Sequence, residues 1–416
     1  MTADRGSAGV HGSWRLAVVA LVASLAGCAV LPRNAVPPEL MAEAVIPGMP
    51  DARATAGRRS AAFDADFERS FAQESPQDFP AGSDGVVRYA HLALSGGGPN
   101  GAFGAGLVNG WTASGTRPVF KVVTGVSTGA LMAPFVFLGP GHDDSLRAFY
   151  TTTSSNHIFR MLSILPQLLG GESFADTAPL QIMIAQFVDE AFLAAIAHAH
   201  ASGRRLYIGT VDLDAQRFVV WNMGLVASNG QPGAVDLFRR IMLASASVPV
   251  AFPPVFFDVS AGGRIYDEMH VDGAVAANLF WNAGVLSFAD ARVRAGRGSA
   301  REDLYIVHNG QLVPTADVTR RSLRSIALRS FDVAARSAVV GDLFRVFAVT
   351  QRDDAGFHWI TIPETVRIDG EEVFDPVAMG RLYEQGYGMA QRSGPPWTTQ
   401  PPGAGRAGRG GVPETP

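Results

Sequence analysis

The sequence predicts an α/β domain of three layers, with a mainly parallel central sheet and helices on both of its faces. Two observations predict it. Short aliphatic runs at residues 89–94, 119–124, 206–213, 218–221 and 304–308 have the length and β-branched content of strands. Segments with helical spacing separate them, notably 179–201, where Leu180, Ile184, Phe187, Phe192 and Ile196 repeat every three to five positions. Strands that alternate with helices need crossover connections, and these produce a parallel sheet covered on both sides. Residues 319–350 read as a further long helix, with Leu323, Ala327, Phe331, Ala334 and Ala338 as its apolar positions. Its arginines (Arg320, Arg321, Arg324, Arg329, Arg336, Arg345) read as a solvated face, with a membrane-facing surface as the minority reading.

The start of the chain has a different character. Arg5 and Arg15 precede an apolar run at 16–26, which is well below the roughly 20 residues that span a bilayer, so residues 1–27 read as a secretory signal. Leu25-Ala26-Gly27-Cys28 resembles the bacterial lipoprotein signal, and Cys28 is the only cysteine of the chain. A lone thiol in an exported protein needs an explanation, and lipidation of Cys28 supplies one. Ala29 follows it, which by resemblance to enterobacterial sorting implies the outer membrane of a bacterial cell envelope. Residues 28–85, rich in Pro, Ala, Ser and charge, read as the lipidated cysteine plus a flexible tether. Within it Phe63, Phe67 and Phe71 form one helical stripe that can dock on the body. Residues 86–392 read as one domain, and 393–416, dominated by Pro, Gly, Arg and Thr, read as a disordered tail.

A formal net charge of −4 gives no basic field for nucleic acid. Lys121 is the only lysine among 34 basic residues. No Cys and His cluster has zinc-like spacing, and His198 and His200, two apart on a helix, face different ways. Neither metal nor organic cofactor is expected.

Three motifs carry chemistry. Gly125-Val-Ser127-Thr-Gly129 follows an apolar strand and precedes a helix-compatible segment, which is the pattern of a nucleophile elbow; alone, it is equally an ordinary glycine-flanked turn. Gly96-Gly97-Gly98-Pro99-Asn100-Gly101 empties from a strand, so its amides can turn into one cavity as oxyanion donors. Gly96-x-Gly98-x-x-Gly101 also fits a dinucleotide loop, but residues 116–123 carry no acidic residue where a ribose-binding carboxylate belongs. Asp272-Gly273-Ala274 presents a carboxylate on a tight turn, and in isolation it would be only a turn. Between serine and aspartate, Ala244-Ser245-Ala246-Ser247-Val248-Pro249 leads into Phe252-Pro253-Pro254, a helix end entering a proline-fixed loop.

As an ordered set over residues 89–312, these pieces resemble the patatin-like phospholipase family. The resemblance implies a patatin-like fold, Ser127 as nucleophile, Asp272 as its partner in a dyad, and Gly96, Gly97 and Gly98 as the oxyanion loop. It also makes residues 210–220 a structural hairpin, and it implies an acyl lipid or phospholipid substrate. Asn100 stands where many members carry Arg or Lys, which weakens phospholipase specificity more than it weakens ester hydrolysis. Two alternatives remain: an α/β-hydrolase triad that draws its imidazole from His308 or His358, and a non-catalytic lipoprotein scaffold. His270, two residues before Asp272, reads as a packed histidine. Oligomeric state is not legible.

Overall fold

The computed structural model describes residues 32–162, 172–313, 316, 318–368 and 370–403. The signal segment, Cys28 and residues 404–416 of the tail lie outside them.

The strands, in chain order, are β1 (Arg53–Thr55), β2 (Arg88–Leu94), β3 (Phe120–Val126), β4 (Arg160–Met161), β5 (Ala175–Asp176), β6 (Arg205–Asp212), β7 (Arg217–Asn222), β8 (Val255–Ala261), β9 (Arg264–Asp272), β10 (Arg301–His308) and β11 (Gly356–Thr361). Nine of them form one sheet in the order β1-β7-β6-β3-β2-β10-β11, with β9 joined to β6 and β8 to β9. β6, β3, β2, β10 and β11 run parallel. β7 returns antiparallel from β6, as a hairpin at 210–220 requires. The short antiparallel pair β4–β5 stands apart.

Alternation along the central strands divides the core. Leu92, Leu94, Val123 and Ile208 face one apolar layer, whereas Ala93, Val122, Val126 and Tyr207 face the other. Helices cover both faces, so the three-layer reading holds. The helix Gly101–Ala113 packs along Pro376–Ala390 so closely that a Cβ at Gly106 would lie 1.9 Å from the Tyr383 carbonyl oxygen. On the opposite face the helix Ala61–Gln73 inserts Phe63, Phe67 and Phe71, all buried, as their spacing predicts.

The tether reading of 28–85 is wrong over residues 32–85. β1 extends the sheet beyond β7, Val45 and Ser260 exchange backbone hydrogen bonds, and Val36, Ile46, Met49 and Ala52 are buried. This stretch shows no period because the partner strands dictate its extended path; its own side-chain pattern does not. Buried polar contacts lock it down further. Asp66 accepts from Arg205 Nε at 2.7 Å and from Asn222 Nδ2 at 2.8 Å. Lys121, fully buried, donates to Glu74 at 2.8 Å and sits 4.5 Å above the Phe71 ring.

The domain also extends past residue 392. Trp397 packs 5.1 Å from Trp111, and Thr398 pairs with Trp359 through both backbone hydrogen bonds, so residues 393–403 are not a disordered tail. Aromatic anchoring of this kind offsets a Pro- and Gly-rich composition. The stretch 179–201 is two helices, Ala178–Phe187 and Glu190–Ala201, because the Asp189 carboxylate accepts from Phe192 N–H and caps a new start. The long helix spans Leu323–Arg352, with Leu323 exposed and not in the core.

Candidate active site

β6 acts as a ruler for the site. β3 runs beside it until Val126 lies opposite Gly209, and there β3 ends. At the next position of β6, Thr210 lies opposite Asp272, the last residue of the antiparallel β9. Two strands therefore meet end to end along one neighbour, bringing Ser127 and Asp272 together from distant parts of the chain.

Ser127 has φ 55° and ψ −126°, a conformation that side-chain-bearing residues avoid, and it precedes the helix Thr128–Leu138. The turn fits only because its neighbours are glycines. A Cβ at Gly125 would stand 2.4 Å from the Gly129 oxygen, and one at Gly129 would stand 2.2 Å from the Leu94 oxygen. Ser127 N–H donates to Ser245 Oγ at 3.0 Å, and that hydroxyl donates to the Gly209 oxygen at 2.6 Å. Asp272 N–H donates to the Ser247 carbonyl at 2.9 Å. The helix end at 245–247 thus grips both residues.

Asp272 is fully buried. Its Oδ1 accepts from Ala274 N–H at 2.8 Å, whereas Oδ2 makes no hydrogen bond. Burial is the main influence on its carboxyl, which is pushed up to about 7 against the opposing pull of the Ala274 amide and the Ser127 side chain. The serine thus acts on the carboxyl without a well-aligned hydrogen bond to it.

The triple glycine begins at the end of β2. A Cβ on Gly96 would lie 3.1 Å from Ser127 Cβ and 3.0 Å from Asn278 Oδ1, so the loop adjoins the serine directly. Gly96 N–H is already committed to the Asn278 carbonyl at 3.1 Å, which removes it from the expected set of oxyanion donors. Gly97 and Gly98, at φ 155° and 56°, donate no hydrogen bond among the described residues. Asn309 fixes the loop from β10: its N–H meets Ser95 Oγ at 2.8 Å and its Nδ2 meets the Ser95 carbonyl at 2.9 Å. Asn278 in turn hangs from Asp342 of the long helix through a 2.8 Å backbone hydrogen bond. Sequence reasoning assigned no role to Ser245, Asn278 or Asn309. Ser245 lay inside a motif already singled out, but the two asparagines had no local signal.

No histidine touches Ser127 among the described residues. His308 is buried against Ser95 Oγ at 3.0 Å and is held to about 4, chiefly by desolvation. His358 pairs with Asp303 at 3.0 Å and stacks on Tyr305. His270 is packed, bonding Thr210 Oγ1 at 2.9 Å. Asp212, Glu268 and His270 bring ligand atoms within 4.8 Å of one another, but Arg53 already bonds both Glu268 oxygens and supplies the positive charge. A cavity of about 630 Å³ lies between residues 56–59, 276–287 and the long helix, and neither Ser127 nor Asp272 lines it.

Residues 92–283 match the family model described as patatin-like phospholipase, a span that contains the glycine loop, the elbow, the helix-end motif and Asp-Gly-Ala. Over those residues the chain is similar to the patatin-like phospholipase domain. The match supports lipid acyl hydrolase activity for residues 92–283. No curated protein matches the chain in sequence. Among solved structures, VipD from Legionella pneumophila is similar at 11% identity and a TM-score of 0.33, covering 75% of this chain and 68% of that one. Human GIVD cytosolic phospholipase A2 is similar at 10% identity and a TM-score of 0.33, covering 69% of this chain and 54% of that one.

Proposed function

We propose that the protein is a serine acyl-ester hydrolase of lipids that works through a Ser127–Asp272 dyad and an acyl-enzyme. The observation that carries the reading is the β6 register, which brings a strained serine and a desolvated carboxyl with a free oxygen to one point. Asp272 Oδ2 takes the Ser127 hydroxyl proton as Oγ attacks the ester carbonyl. The Gly97 and Gly98 amides receive the oxyanion. Collapse expels the alcohol with the proton returned by Asp272, and water, deprotonated by the same carboxylate, releases the acid. A carboxyl near 7 is matched to accepting and returning a proton at neutral pH. The absence of any imidazole contact at Ser127 among the described residues favours a dyad over a triad.

Asn100, whose buried Oδ1 has no partner, puts an amide where a cation would favour phosphate. The substrate class is therefore the acyl ester, with no preference for a phosphorylated head group. An active-site fluorophosphonate probe and a panel of acyl esters test the proposal. The expected result is a single adduct on Ser127 and loss of nearly all turnover in both Ser127→Ala and Asp272→Asn. Normal turnover in folded Asp272→Asn, with His308→Ala dead, would overturn it.

A further inference from the structure

The N-terminal half of the long helix contributes nothing to the site and has an unusual surface. Leu323 is 75% exposed, Ile326 52% and Val333 58%. Positions three and seven apart share one side of a helix, so these residues form an apolar stripe turned away from the body. That is the reverse of the ordinary surface helix, whose apolar side faces inward.

Arginine accompanies the stripe. Between residues 318 and 341 there are five arginines and one acidic residue, Asp332. Arg329 and Arg336 share Asp332 at 3.7 and 3.5 Å. Arg320, Arg321 and Arg324 are exposed and have no carboxylate partner among the described residues.

The patch runs on to the catalytic motif. Arg324 reaches Met161 Sδ at 3.7 Å and lies over the Phe174 ring at 5.8 Å. Phe174 N–H donates to the Val250 carbonyl at 3.0 Å, and Val250 comes three residues after Ser247, which holds the Asp272 amide. Met161 and Val250 are exposed too, at 50% and 36%.

We propose that this surface docks the protein on the face of an anionic lipid bilayer, a step that rests on the lipid hydrolase reading and deepens it. Aliphatic side chains enter the headgroup boundary while guanidinium groups bind lipid phosphates. A second copy is disfavoured as the occupant, because it would bring the same positive patch against this one.

Vesicle flotation tests the proposal, using the full chain with Cys28→Ser so that no acyl anchor contributes. Phosphatidylcholine vesicles are compared with vesicles containing phosphatidylglycerol, and a second protein adds Arg320→Glu, Arg321→Glu and Arg324→Glu. Flotation with the anionic vesicles is expected, weakening with salt and falling on the order of 100-fold in the charge-reversed variant. Hydrolysis of a soluble short-chain ester should be equal in both. Leu323→Ser with Ile326→Ser gives an uncharged check and should also weaken flotation. The inference is overturned by equal flotation of parent and charge-reversed proteins, by indifference to vesicle charge, or by a vesicle-free dimer that the triple variant dissolves. If flotation behaves as expected but no ester is cleaved, the docking surface stands and the hydrolase reading falls.

Discussion

Within the proposed site, pH acts on Asp272. Its carboxyl, raised to about 7 by burial, holds its proton more tightly in the folded protein than in the unfolded chain. Below that value the base is neutral and idle, so the hydrolysis rate is expected to climb with pH through an apparent value near 7. A rate profile without that limb would remove Asp272 from the role of base. Stability should move the other way. Between the ordinary carboxylate range and about 7, the unfolded state loses its proton first, so folding weakens as pH rises. Asp272→Asn removes a buried charge, and by denaturant titration it should be more stable than the parent at pH 8, by on the order of a few kcal/mol, and no more stable at pH 4. Ser245 works through Ser127. Ser245→Ala deletes the acceptor of the nucleophile's amide, so the elbow relaxes and the probe should label Ser127 about 10- to 100-fold more slowly. Ser245→Thr keeps the hydroxyl and should restore much of the rate, an outcome that a purely structural role would not give.

At the scale of elements, the helix Ala61–Gln73 is pinned by a charge and not only by its phenylalanines. Asp66 faces the fully buried Arg205 guanidinium, and despite the opposing cost of burial its carboxyl is held down to about 2, first by the hydrogen bond from His200, then by the Arg205 charge and by Asn222. Asp66→Ala would leave Arg205 buried without its counter-charge and should cost about 3–5 kcal/mol in chemical denaturation. A loss below about 1 kcal/mol would mean that Gln73 and the backbone carbonyls suffice. The same helix shows what a sequence discloses. Phe63, Phe67 and Phe71 repeat at helical spacing and could be read at once, as could the five aliphatic strands around the motifs. β8 could be read only as strand-like residues from Val255 onward, and β9 and the path of residues 32–55 could not. β9, Arg264–Asp272, is largely polar because much of it is half-exposed, so it lacks the aliphatic signature of a central strand. Asn278 and Asn309 act largely through backbone and carboxamide contacts set by tertiary placement, which no local pattern encodes.

At the scale of the whole molecule, the described body begins a few residues after Cys28, where lipidation is the expectation. With residues 32–85 folded onto the sheet, little chain is left between a lipid on Cys28 and the body, so a lipidated form would sit close to its membrane. Cys28→Ser should abolish acyl attachment, read by mass and by release from the membrane fraction, and leave soluble-ester turnover unchanged. A variant that pelleted as firmly as the parent would remove lipidation as the main anchor.

The register of β6 has a consequence for the history of each molecule. The serine arrives on one strand and its base on another much later in the chain, and they meet only once both have found their places on β6. If the proposed dyad is the catalytic pair, a nascent, unravelled or misassembled copy carries a hydroxyl with no proton acceptor and should cleave no ester. On that reading, completion of the sheet would itself switch the chemistry on.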